Sequence, residues 1–291
     1  MTLRPAPDER SIPDLLAFGV VNLDKPPGPS AHQVAAWVRD LTDQERAAHA
    51  GTLDPKVTGC LPLLLGDATR MAQVFDDSRK EYVAVLECHG SPPADLDSVV
   101  AEFEAPIYQK PPRKSAVKRR LRVREIHALD VLEVDGRQAL LRVRCESGTY
   151  IRKLCHDIGL ALGTGAHMGH LRRTATDPFD DTTLATLEDL ADALTWYRED
   201  GDEAPLRDVV QPAERALVDL ARVTIAPSAA ESVADGAPVY APGVIDADQP
   251  DAERPLVACY TPNDAAVCLG RLVGDPDADS GVVVELERVL V

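Results

Sequence analysis

In the stretch AHAGTLDPKVTGCLP (residues 48–62) the sole acid is Asp54, set between Leu53 and Pro55 with Gly51 and Gly59 on either side. The proline biases Leu53 away from helical geometry, and the glycines permit a tight loop whose backbone can come close to a ligand. Such an acid can be a nucleophile, a general base, an Asx-turn former or a helix cap, and Asp-Pro pairs in loops most commonly form turns. A partner is available in GTYIRKL: if a helix begins near Tyr150, Arg152 falls in its first turn. There it can hold a carboxylate by two parallel hydrogen bonds, which favours the ionised acid. An ordinary surface arginine fits the same spacing. Tyr82, after Lys80 and Glu81, suits either core packing or a platform for a nucleic-acid base.

The elements that must position these residues follow from pattern. Residues 20–23 read as a strand entering the turn DKPPGPS, and Ser30 with Gln33 forms a capping-box pattern for a helix with Val34, Trp37, Val38 and Leu41 on one face. Residues 51–59 read as loop and CLPLLLG as a buried apolar segment. EYVAVLECHG alternates as a strand, and DLDSVVAEFE suits a short helix. HALDVLEV and RQALLRVRCES flank Asp135-Gly136, a hairpin signal. TYIRKLCHDIGLALG predicts a helix stopped at Gly163, and AHMGHLRRTATDPF a returning strand. Residues 184–216 look helical and amphipathic, and from Val218 the chain turns to short β-rich pieces. This order predicts an α+β fold rather than a doubly wound sheet.

Charge also divides the chain, ahead of that change at Val218. The formal net charge is −17, yet residues 1–175 hold 24 Lys+Arg against 23 Asp+Glu, whereas residues 176–291 hold 7 against 25. KPPRKSAVKRRLRVR (residues 110–124) carries eight basic residues and no acid, a density that fits a phosphate-facing surface or a solvated run. Asp outnumbers Glu by 31 to 17 and Arg outnumbers Lys by 24 to 7, a bias expected of a salt-rich cytoplasm. The six cysteines lie far apart without a CxxC pair and read as buried reduced thiols. His167 and His170 in HMGH lack a second ligand pair at zinc spacing, so no metal site is expected. No apolar run long enough to span a membrane and no secretory leader pattern appears, so a cytoplasmic protein is expected.

Several of these motifs occur together in a known order. AHAGTLDPKVTGCLP, KEYVAVLECHG, SGTYIRKLCHDIG and GAHMGHLRRT resemble the TruB-type pseudouridine synthases. VVNLDKPPGPSAHQV and KPPRKSAVKRRLR narrow the resemblance to the dyskerin branch, catalytic subunits of box H/ACA ribonucleoproteins. It covers residues 12–291. It implies a mixed, largely antiparallel catalytic domain over residues 18–217 and a small β-rich PUA-type RNA-binding domain over 218–291, with the arm 1–17 packed on the latter. It implies isomerisation of uridine in ribosomal RNA under a guide RNA, and also in transfer RNA without one, with no cofactor. The alternatives are a non-catalytic RNA-binding scaffold and a stand-alone transfer-RNA enzyme.

By the same resemblance Asp54 is the catalytic aspartate, Tyr82 the active-site tyrosine and Arg152 the aspartate's partner. His49, Tyr150 and Leu171 are implied pocket residues. Lys110, Arg113, Lys114, Lys118, Arg119, Arg120, Arg172 and Arg173 are the candidates for RNA backbone contacts. The implied partners are a box H/ACA guide RNA, a kink-turn-binding ribosomal-type protein, a Nop-type protein and a Gar-type protein. The acidic C-terminal part and the lack of a basic tail after Val291 point to an archaeal member.

Overall fold

The computed structural model describes residues 3–111, 118–250 and 252–291. Its larger sheet runs, in spatial order, β10 (Val210–Pro212), β1 (Gly19–Lys25), β3 (Thr58–Leu65), β8 (Ala166–Thr176), β4 (Lys80–Cys88), β7 (Gln138–Cys145), β6 (Arg122–Asp135) and β5 (Pro106–Gln109). Two short strands join it, β2 (Ala47–His49) on β3 and β9 (Phe179–Asp180) on β8. Among the described residues every pairing in this sheet is antiparallel except β3 with β8, where Thr58 faces Arg172 and Gly59 faces Arg173. That parallel seam passes under the Asp54 loop and requires Gly59: a Cβ there would lie 2.2 Å from the Arg173 carbonyl oxygen, and its φ is +98°.

Four helices, α1 (Ile12–Ala17), α2 (Ala31–Leu41), α5 (Leu187–Asp200) and α6 (Ala204–Val209), share one core with β1 and β3 through Leu15, Val34, Leu61, Leu190 and Leu206. The capping box of α2 forms as expected, with Ser30 Oγ accepting from the Gln33 N–H and Gln33 Oε1 from the Ser30 N–H. Its buried stripe is Ala31, Val34, Ala35 and Val38, while Trp37 stays 46% exposed. The small alanines complete an i, i+3, i+4, i+7 face that the larger tryptophan was expected to fill. A second core joins α3 (Leu96–Ala101) and α4 (Ile151–Ala161) to β4, β6 and β7 through Val100, Leu141, Val143, Leu154 and Ile158. The hairpin turn falls on Gly136 and Arg137, one residue later than expected, with Gly136 at φ 56°. The end of the expected helical region instead becomes β10, an edge strand on β1, where Pro212 can sit without an N–H to donate.

The second sheet orders β12 (Val239–Tyr240), β16 (Val282–Val289), β15 (Ala266–Leu272), β14 (Leu256–Tyr260), β11 (Ala221–Ile225) and β13 (Val244–Ala247), with α7 (Pro227–Ala234) packed on its core of Val223, Val233, Val257 and Val284. A third core bridges the two sheets: Phe18, Leu64, Phe179 and Leu217 meet Ala258, Tyr260, Leu269 and Leu290. Polar contacts reinforce it. Arg10 donates to both oxygens of Glu214 at 2.8 and 2.6 Å, and Glu214 Oε1 also accepts from the Ala266 N–H. Arg4 lies over the Phe18 ring and donates to the Leu290 carbonyl at 2.6 Å.

Candidate active site

The loop carrying Asp54 is held at its base rather than by the aspartate. Leu53 and Val57 drop their side chains into the core shared with α2, which turns the residue between Leu53 and Pro55 outward. The Asp54 carbonyl accepts from the Val57 N–H, closing a tight turn. The fully buried Lys25, at the end of β1, aims its ammonium at the carbonyls of Pro26, Pro55 and Val57 at 2.8, 3.1 and 2.9 Å. Burial lowers its pKa, and the nearby Asp54 charge opposes that shift. From the other side Arg173 donates to Cys60 O at 2.7 Å and to the carbonyls of Ala50 and Gly51 at 3.2 and 3.3 Å. Two buried cations thus satisfy the loop's inward carbonyls, which would otherwise be costly orphans.

Arg152 approaches from α4, in whose first turn it stands, and its Nη2 donates to Asp54 Oδ2 at 2.6 Å. The contact is one charge-assisted hydrogen bond, not the parallel pair expected. Asp54 Oδ1 therefore takes no hydrogen bond from the described residues. Both side chains are 58% exposed, so the pair lies on an open surface. A separate concavity lies elsewhere, along Pro7, Glu214, Arg222 and Tyr260.

The remaining residues expected at the site divide clearly. Tyr82 on β4 and Leu171 on β8 are half-buried and pack against both the α2 core and the α4 core, forming the floor between the loop and the helix. Burial pushes the Tyr82 phenol above its ordinary pKa, and the Arg173 guanidinium beside its hydroxyl opposes that; the ring is a neutral platform at neutral pH. His49 ends β2, its ring edge-on to His32 at 4.6 Å, with Nδ1 buried and unpartnered. Burial, then His32 and Arg173, lower its pKa, which keeps the imidazole neutral. Tyr150 is the N-cap residue of α4.

Of the basic candidates, Lys110, Lys118, Arg119 and Arg120 are exposed, and Arg113 and Lys114 lie outside the described residues. Arg172 is half-buried and grips Asp24 through Nη1 and Nη2 at 2.9 and 2.8 Å. Arg173 corrects the expectation of an RNA contact: at 1% exposure it is an internal brace, because β8 alternates and the parallel seam turns this position under the loop.

Sequence reasoning missed Lys25, Asp24 and Gln109. The first two had a signal, a charged pair inside the apolar run VVNLDKPPG. No group of three or more potential ligands that could hold a metal occurs among the described residues. Burial pushes the Cys60 thiol up to about 11 and those of Cys145 and Cys155 to about 12, so these three stay protonated at neutral pH.

Residues 39–94 and 88–151 match the TruB family pseudouridylate synthase N-terminal domain, residues 152–218 the tRNA pseudouridylate synthase B C-terminal domain, residues 5–35 the DKCLD domain and residues 221–290 the PUA domain. The fold and its domains define an RNA pseudouridine synthase that carries a PUA domain. The chain belongs to the TruB family. Its relatives include the probable tRNA pseudouridine synthase B of Haloarcula marismortui, 70% identical over 100% of this chain and 94% of that protein. That of Pyrococcus furiosus is 46% identical over 98% and 86%. Among solved structures, a chain of a Cbf5-Nop10-Gar1 complex superposes with a TM-score of 0.94 at 45% identity over 99% of this chain and 90% of that one. A chain of an H/ACA ribonucleoprotein bound to a substrate RNA containing 2'-deoxyuridine gives 0.92 at 43% over 99% and 90%.

Proposed function

We propose that this chain is the catalytic subunit of a guide-directed pseudouridine synthase acting on ribosomal RNA, with Asp54 as its nucleophile. The observation that carries this reading is the division of labour on one carboxylate: Arg152 occupies Oδ2 while Oδ1 is left to face a substrate. A target uridine leaves its stack and rests on Tyr82 and Leu171, recovering part of an unstacking cost of about a few kcal/mol. Asp54 attacks C1′ and displaces N1, the uracil turns, and C5 then bonds to C1′ as the C1′–carboxylate bond breaks and frees Asp54. C5 gives up a proton and N1 gains one, so the product is an isomer and no net electrons move. Arg152 holds the carboxylate's aim, and Tyr82 stacks on the base and takes part in the proton transfer.

Residues 18–217 form the catalytic body in this reading and 218–291 grip RNA. Guide pairing reads the sequence, while Lys110, Arg113, Lys114, Lys118, Arg119 and Arg120 bind phosphate, with Arg172 available only by loosening Asp24. Nop-type and Gar-type proteins are the proposed partners, since the similar solved chains are named in complexes with Nop10 and Gar1. A kink-turn-binding protein on the guide completes the assembly. A second reading, modification of transfer RNA without a guide, is favoured by the names of the 70% and 68% identical relatives. Reconstitution with ribosomal RNA fragments and transfer RNA, each with and without guide and partners, separates the two. Guide-independent conversion of transfer RNA together with no guided conversion of ribosomal RNA overturns the first. Among the described residues no helix is long and apolar enough to cross a membrane.

A further inference from the structure

Gln109 ends β5 immediately before Lys110, and nothing in its sequence context marks it as part of the site. Yet its side chain is 1% exposed and is spent entirely on one residue. Its Oε1 accepts from the Tyr150 N–H at 2.8 Å, and its Nε2 donates to the Tyr150 carbonyl at 3.1 Å. Tyr150 is the N-cap of α4, with φ −94° and ψ 97° and no side-chain cap of its own. Its carbonyl also accepts from the N–H groups of Lys153 and Leu154. One planar amide therefore grips both backbone groups of the residue that sets the direction of α4, and Arg152 follows two residues later.

We propose that Gln109 is a positioning residue for the reaction, fixing the start of α4 so that Arg152 meets Asp54. This rests on the reading of the Asp54–Arg152 pair as the catalytic centre. The exposed pair has no walls of its own to hold the arginine, since both partners stand at an open surface. Its geometry must come from the helix backbone, and the amide clamp is what anchors that backbone on the β5 side. Small displacements of a positioned group reduce rate far more than binding.

The test is a double-mutant cycle in single-turnover conversion at saturating RNA, with RNA affinity and thermal unfolding followed alongside. Gln109→Leu, which removes both hydrogen bonds, is expected to slow conversion by about tenfold or more while RNA affinity changes less than about twofold. Gln109→Glu keeps the acceptor, loses the donor and should fall between, and it is the variant to use if Gln109→Leu does not fold. In an Arg152→Lys background the same change should slow conversion less than about twofold, because the arginine it aims is gone. An unaltered rate for Gln109→Leu, or an equal slowing in both backgrounds, overturns the positioning role. Wild-type turnover by Arg152→Lys alone would instead sink the reading of the site.

Discussion

Two arginine–carboxylate pairs in this chain have opposite settings. Arg10 and Glu214 sit between the two sheets, their side chains 0% and 10% exposed, joined by two hydrogen bonds with a third from the Ala266 N–H. Arg152 and Asp54 share a single hydrogen bond at an open surface. Both carboxylate oxygens of the buried pair are bonded to the arginine, so removing one partner strands a charge in the interior. The exposed pair is screened by water and contributes about 1 kcal/mol or less to stability. A pair that does so little for the fold, on a loop braced by two buried cations, fits the catalytic role proposed for it.

The sharpest break of that contrast is Asp54→Asn. Conversion is expected to fall to background in a single-turnover assay while the unfolding midpoint and RNA affinity hold; measurable turnover would remove the nucleophile. Next comes Glu214→Ala, which leaves the Arg10 guanidinium buried alone and should destabilise the chain by about 3–5 kcal/mol in denaturant titration. At temperatures where that variant is folded, its conversion rate should match wild type. Arg152→Ala reverses this profile, losing about 100-fold in rate with little change in stability, and a large stability loss would place it with the buried pair.

Salt sharpens the comparison further. With a net charge of −17, moving from about 0.1 to 1 M salt should raise the unfolding midpoint by screening acid repulsion, yet leave the Glu214→Ala deficit in place because buried pairs are screened less. The smallest effect is one of pH. His49 has a lowered pKa in the fold, so as pH falls the unfolded chain takes up a proton near the ordinary histidine value of about 6.5 before the folded one does. Stability present above that value is lost below it. His49→Gln should flatten that slope between pH 7 and 5 in denaturant titration, and an unchanged slope assigns the loss to other groups.

Much of the site was legible because its residues stand in unusual local company. Asp54 is an acid among glycines and prolines, Arg152 falls in a predictable first turn, and the capping box of α2 is a contact between neighbours in sequence. Arg173 was misread for the converse reason. In LRRT two adjacent arginines look alike, and only the strand's alternation, with a parallel partner on one side, leaves Arg172 half-buried against Asp24 and puts Arg173 beneath the loop. Trp37 was misplaced because helical spacing allows two overlapping faces and the core selected the one with smaller residues. Gln109 gave no signal, since its two hydrogen bonds reach a residue 41 positions away.

The sequence by itself determined the family, most of the order of elements and the acidic region after residue 175, and through the resemblance it set one aspartate beside one arginine. These are recorded in residue type and short-range spacing, which survive without coordinates. Tertiary structure decided which cations are buried braces and which stand exposed, that the Asp54–Arg152 pair stands open with one carboxylate oxygen uncommitted, and that an amide from β5 grips the start of α4. Each of those depends on which way a side chain points once distant strands are in register, and pairing across a sheet is settled by the packing of the whole chain.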